Sequence, residues 1–148
     1  MNDSEYMHLA LVQAQAAALR GEVPIGALVV LEDRILSAAG NRTITDFDPT
    51  AHAEIVALRE AAQKLNNHRL LGASLYVTVE PCAMCAGALV QARVARLIYG
   101  ADEPKGGAIR TCMQVLDAPS LNHRVEVVSG VLADDAVQLL RAFFSVRR

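Results

Sequence analysis

Residues 74–99 read SLYVTVEPCAMCAGALVQARVARLIY, and this stretch decides the fold. Ser74 to Val79 is a β-branched, apolar run of strand length. Pro81 cannot continue a strand ladder and is well placed at a helix start. Cys82 to Ala92 then reads as a helix of small residues suited to tight packing, and Val94 to Tyr99 as a second apolar strand. Strand, helix and strand in succession make a βαβ unit with a right-handed crossover.

The rest of the chain extends this unit on both sides. Ser4 to about Arg20 is rich in Ala and Leu at helical spacing, with Gly21 as its stop. Ile25 to Leu31 and Arg34 to Ala39 read as strands joined by a turn at Glu32-Asp33, a hairpin. Asn41 to Thr50 is a polar loop rich in turn formers, and Ala51 to Lys64 carries Ile55, Val56, Leu58 and Ala62 at helical spacing. Gly100 to Gly107 is a Gly/Pro/Lys loop, and Val125 to Val128 a short fifth strand. Leu132 to Val146 is an amphipathic helix with Leu139, Leu140, Phe143 and Phe144. Helices alternating with strands after an opening hairpin indicate α/β, with helices on both sheet faces. With 148 residues and no internal repeat or linker, one domain over 1–148 is expected.

Composition excludes several classes. The chain is 53% hydrophobic and 20% charged, which argues against disorder. Aromatics are scarce and Trp is absent, so the core must be aliphatic. No apolar run is long enough to span a bilayer, so no membrane partner is expected. The opening Met1-Asn2-Asp3-Ser4-Glu5 is acidic and polar, unlike a signal peptide. Two of three cysteines are spaced for a metal, which points to a reducing cytoplasm, and Cys112 is expected to be a buried apolar thiol. A net charge of −2 announces no nucleic-acid binder. Arg141 to Arg148 carries three Arg and no acid, as consistent with helix-end capping as with an RNA contact.

The chemistry lies in two short motifs. His52-Ala53-Glu54 and Pro81-Cys82-Ala83-Met84-Cys85 stand 26 residues apart, counted between Glu54 and Pro81. Together they supply an imidazole, two thiols and a carboxylate. His52, Cys82 and Cys85 are three zinc ligands, and three protein ligands leave one coordination position open for reaction. Cys82 and Cys85 fit the first turn of a helix, where unpaired N–H groups and the dipole favour thiolate. Glu54, two residues from His52, can face the same pocket without binding the metal and is free to move protons. A lone C-x-x-C is often a redox pair. A structural zinc site would need a fourth ligand, and Cys112, His8, His68 and His123 lack ligand spacing to the cluster. The two motifs together favour the catalytic reading. No nucleotide-cofactor motif is present.

The H-x-E…P-C-x-x-C pattern is the signature of the zinc nucleobase deaminases. The blocks Glu22 to Ala27, Asn41-Arg42, Pro49 to Glu54, Leu75 to Ala88, Tyr99 to Ala101, Pro104 to Gly107 and Asn122 to Arg124 resemble the bacterial tRNA adenosine deaminases of the cytidine-deaminase-like superfamily. The resemblance runs over nearly the whole chain. It implies a three-layer α/β/α fold around a five-stranded mixed sheet, and a homodimer with sites close to the subunit interface. It implies one Zn2+ per subunit and hydrolysis of the wobble adenosine of a tRNA anticodon stem-loop to inosine. Catalytic Glu54, metal-binding His52, Cys82 and Cys85, and substrate-binding Asn41, Val23, Pro24, Ala53, Lys105, Asn122, His123 and Phe144 follow from it. One of Phe143 and Phe144 should pack inside while the other stacks near the substrate loop. Without the resemblance, Asn41 is a strand-end Asn in turn geometry, Lys105 a solvated turn lysine and His123 a surface histidine. Two departures stand out. Glu103 replaces an expected Asp, and Arg110-Thr111 replaces a Gly-Ser step, adding positive charge beside the presumed groove.

Two other functions share parts of this pattern. A deaminase of a free base or nucleoside, such as guanine or cytosine, would use identical zinc chemistry. It would have no use for an aromatic stacking residue or an Arg-rich end. A non-catalytic zinc module would gain nothing from Glu54.

Overall fold

The computed structural model describes residues 1–147. Its elements are α1 (Asp3–Leu19), β1 (Gly26–Leu31), β2 (Arg34–Gly40), α2 (Ala53–Leu65), β3 (Ser74–Val79), α3 (Ala83–Ala92), β4 (Arg96–Ala101), a 3-10 turn (Val115–Asp117), β5 (Glu126–Val128) and α4 (Ala133–Val146). The strands form one sheet in the order β2-β1-β3-β4-β5. β1 runs antiparallel to β2 and β3, whereas β3, β4 and β5 are parallel.

The pleat sorts the core into two layers. Ala27, Val29, Leu75, Val77, Leu97 and Tyr99 face one side and pack with Ala57, Leu58, Ala61, Ala86 and Leu89 of α2 and α3. The alternate residues Leu28, Val30, Tyr76 and Ile98 face Tyr6, Met7 and Ala10 of α1. Ala136 of α4 joins Leu11 and Ala101 on that second side. The inner strands are therefore covered on both faces, which is why they read as unbroken apolar runs instead of alternating ones. This is the expected α/β/α sandwich. At Gly26 a Cβ would collide with the Ala10 carbonyl oxygen, so β1 and α1 meet at a distance that a side chain would prevent. Asp3 accepts from Tyr76 Oη at 2.7 Å and from Arg96 Nη2 at 3.0 Å, pinning the start of α1 to β3 and β4.

The hairpin turn is Glu32-Asp33, with φ of 51° and 59°, the left-handed pair that suits a two-residue connection. β4 begins two residues later than its hydropathy predicts and runs through Gly100-Ala101. Arg93 ends α3 at φ 62°, and the Val94 amide still bonds back to Leu89, so Val94 belongs to the helix stop. Gly100 is a strand residue because its missing side chain lets Thr78 and Val131 approach, and it makes no turn there. Cys112 corrects another expectation. It is exposed, with its thiol 3.2 Å from the Pro104 carbonyl oxygen. Its neighbours Arg110 to Met113 are a surface loop, so an apolar residue type carried no burial signal there. Among the described residues, no helix is long and apolar enough to cross a membrane.

Candidate active site

Two helix N-termini meet at the C-terminal ends of β3 and β4. His52 is the N-cap of α2 and Cys82 the N-cap of α3, and neither side chain caps its own helix. They turn toward each other instead. His52 Nδ1 lies 3.6 Å from Cys82 Sγ and 3.5 Å from Cys85 Sγ, and the three ligand atoms all lie within 4.8 Å of one another. Zn–S and Zn–N bonds of about 2.3 and 2.0–2.1 Å in a tetrahedron put S···N edges at roughly 3.6 Å. The donor set and its edges fit a tetrahedral metal.

The capping duty falls to Asn41. Its Oδ1 accepts from the buried Ala53 N–H at 2.9 Å, across the entry to α2. That bond uses one lone pair of the amide oxygen, so Asn41 keeps its second lone pair and its NH2 donors for a ligand. Ala53 itself is fully buried, with its N–H used. Glu54, in the first turn of α2, is only 4% exposed, and burial pushes its carboxyl up to about 7 against the pull of its own backbone N–H. Hydrogen bonds from Cys85 and His52 draw the Cys82 thiol down to about 3. Cys85 is pushed the other way by its bond with Cys82 and by burial, and the Cys82 partner raises His52. Their bond favours the charge on Cys82 over Cys85, and a cation among the three groups would let both carry it.

A cleft of 380 Å³ opens over these residues. Ile25 and Val79 form apolar walls, and Glu103, Lys105 and Gly106 form its rim. Across Glu103 and Lys105 a second groove of 880 Å³ continues toward Arg141 and Phe144 of α4. Phe143 is buried and Phe144 is 44% exposed, with rings edge to face at 5.3 Å. Val23 is half-buried and Pro24, Asn41 and Ala53 are buried, and none of the four is among the residues lining the cleft, where Ile25 stands. His123 and Asn122 lie elsewhere. His123 Nε2 is 2.7 Å from the carbonyl oxygen of Val94, before the start of β4. The cleft is at the other end of that strand, roughly 17 Å away by strand rise. Asn122 is exposed beside it. Arg110 adds little free charge to the groove, because Asp102 receives two of its guanidinium bonds at 3.2 and 3.0 Å.

Two buried carboxylates escaped the motif reading. Glu22 accepts from Thr43 and Thr45 hydroxyls and from the Ile44 and Thr45 amides, tying down the loop that leads to His52. Glu80 accepts from four amides of the loop after β4. Burial alone would raise both carboxyls, yet these donors hold both below the usual range. The available signal was position: each charged residue stands within a few residues of an apolar strand, and Glu80 has no basic residue nearby in sequence.

The MafB19-like deaminase family matches residues 1–148. A tRNA-specific adenosine deaminase of Agrobacterium fabrum is 47% identical over 145 residues, covering 98% of this chain and 95% of its own. The chain belongs to the tRNA-specific adenosine deaminase family. A solved structure from work on A-to-I editing by tRNA:A34 deaminases at the wobble position superposes with a TM-score of 0.90 at 47% identity, over 92% of this chain and 99% of that one. The guanine deaminase of Nitrosomonas europaea shares the fold at a TM-score of 0.83 but only 26% identity, over 96% and 84% of the two chains. Membership of the tRNA family therefore rests on identity along the whole chain, since the scaffold is common to both activities.

Proposed function

We propose that this chain hydrolyses the wobble adenosine of a tRNA anticodon stem-loop to inosine and ammonia, with one Zn2+ per subunit held by His52, Cys82 and Cys85. The observation that carries the reading is His52 Nδ1 at 3.5–3.6 Å from both cysteine sulfurs, with the buried Glu54 carboxyl beside them. When bound, zinc supplies the Lewis acidity that makes water a nucleophile at neutral pH. Glu54 takes one proton from water and delivers it to the ring nitrogen N1, then carries the second, from the hydroxyl now on C6, to the amine, which leaves as ammonia. A buried carboxyl whose charged form is disfavoured by its surroundings can both accept a proton and give it back. Asn41 orients the nucleoside through its side-chain amide. Ile25 and Val79 exclude water from the base.

An RNA substrate is supported by what lies beyond the cleft. The larger groove carries Lys105, Arg141 and an exposed Phe144, giving cations for phosphates and a ring face for a neighbouring base. The loop presents the base unpaired, so little energy opposes its entry into the cleft. We also infer one domain over 1–148, a cytoplasmic homodimer and no nucleotide cofactor. An apolar groove between α2 and α3, walled by Ile55, Leu58 and Ala88, supports the dimer. Burying it would bring the sites at those helices' N-termini close to the interface.

The deciding experiment measures inosine on a stem-loop with a wobble adenosine, beside free adenosine, cytosine and guanine, with Glu54→Ala as control. Inosine confined to the stem-loop and lost in the control is expected. Ammonia from a free base with the stem-loop untouched would overturn the RNA assignment.

A further inference from the structure

We propose that Glu80 is a positioning residue for this reaction: its buried carboxylate holds the 103–111 loop in the shape that the RNA reads. The proposal rests on the functional reading above and adds a residue that it does not use.

Glu80 follows β3 directly and stands two residues before Cys82. It is 4% exposed. Oε1 accepts from Glu103 N at 3.0 Å, and Oε2 accepts from the amides of Ile109, Arg110 and Thr111 at 3.0, 2.9 and 3.1 Å. The Thr111 hydroxyl lies 3.0 and 3.1 Å from the two oxygens and 2.9 Å from the Glu103 carbonyl oxygen, so its one proton is shared between the anchor and the loop. The loop has no sheet partner at these amides, and one anionic side chain takes the place of a ladder. At Gly107 a Cβ would collide with the Glu80 carboxyl and the Thr111 hydroxyl, so the chain folds directly around the anchor. The same loop supplies Glu103, Lys105 and Gly106 to the rim of the cleft, and Lys105 also to the groove toward α4. One carboxylate thus ties the strand end that carries the cysteines to the rim that meets RNA.

Glutamine has the same shape but the wrong chemistry. Four backbone N–H groups and a hydroxyl converge on both oxygens, and an amide must turn an NH2 donor toward some of them. The loop loses charge-assisted bonds on one side whichever way the amide is flipped. The site at the ends of α2 and α3 keeps its own supports, among them the Asn41 bond to Ala53. The effect should therefore fall on binding and spare the chemical step.

The test is Glu80→Gln in the metal-loaded full chain, by steady-state kinetics on the stem-loop, metal analysis and NMR amide exchange. Expected are a KM raised roughly tenfold, kcat and metal content within about twofold of wild type, and amides of Glu103, Ile109, Arg110 and Thr111 exchanging roughly tenfold faster. Sheet amides such as Val77 should not change. Thr111→Val, on an exposed loop position, should move KM the same way by about threefold. Unchanged exchange, or faster exchange with unchanged KM, would overturn the proposal. So would a fall in kcat with metal content at constant KM, which is the mark of a general structural role. If Glu80→Gln does not fold, Thr111→Val decides alone, and an unchanged KM there rejects the idea. A wild type that makes no inosine on the stem-loop refutes the functional reading instead, while the exchange data still report on the anchor.

Discussion

Asn41 makes two separable contributions, and a pair of substitutions should pull them apart. Its Oδ1 accepts the Ala53 N–H at 2.9 Å, and Ala53 has no solvent exposure. Asn41→Ala leaves that donor buried without a partner, which costs about 1–3 kcal/mol. For a chain of this size, each kcal/mol moves the unfolding midpoint by roughly 2–4 °C, so a fall of about 4–8 °C is expected at the middle of the range. Asn41→Asp keeps an oxygen at the same place and puts a negative charge at the N-terminus of α2, where the dipole favours it. Its midpoint should stay near wild type. Activity should follow the other half of the amide. Both variants lack the NH2 group, so both should lose about 1–2 kcal/mol of substrate stabilisation, roughly 5- to 30-fold in kcat/KM on the stem-loop. Calorimetry and inosine kinetics on the same preparations give the two readouts. An aspartate variant with wild-type kcat/KM would remove the Asn41 NH2 from substrate binding. An alanine variant as stable as wild type would show that the cap contributes nothing.

Other perturbations separate the remaining roles. Glu54→Gln should lower kcat by about 10²–10⁴ while the protein still binds one zinc, read by mass spectrometry under native conditions; near-normal turnover would rule out its proton transfer. Phe143→Ala should cost about 3–5 kcal/mol in chemical denaturation. Phe144→Ala should stay within about 0.5 kcal/mol and instead raise KM for RNA, and the reverse pattern would exchange their assignments. Glu22 tests the acid limb of stability. Its folded carboxyl lies below the ordinary 4.5, because bonds from Thr45, Ile44 and Thr43 outweigh burial. Its contribution is thus present above pH 4.5 and fades as pH falls through the lower folded value. Glu22→Gln should lose stability at pH 7 and show a shallower loss on acidification than wild type; parallel pH profiles would mean that the carboxylate is not held ionised.

Much of this protein was legible before any tertiary contact was known. The apolar runs at 74–79 and 94–99, broken by Pro81 and a helix of small residues, require a βαβ unit because both sheet faces must be covered. The two motifs display their chemistry through spacing, since His-x-Glu and Cys-x-x-Cys at helix starts aim side chains at one point. The Phe143-Phe144 pair likewise had to split, because adjacent residues on a helix point in different directions. Distances across the chain were not legible. Nothing local says that Asn41 caps α2, that Arg110 is held by Asp102, or that His123 reaches Val94 at the far end of β4 from the cleft. Cys112 looked apolar and proved exposed, because burial depends on what packs over a residue as well as on its type. Glu22 and Glu80 are the clearest cases. In sequence each is an acid near a strand, and only folding brings the amides that let it stay charged inside. Periodicity and spacing report on neighbours in the chain, whereas a buried charge is decided by partners dozens of residues away.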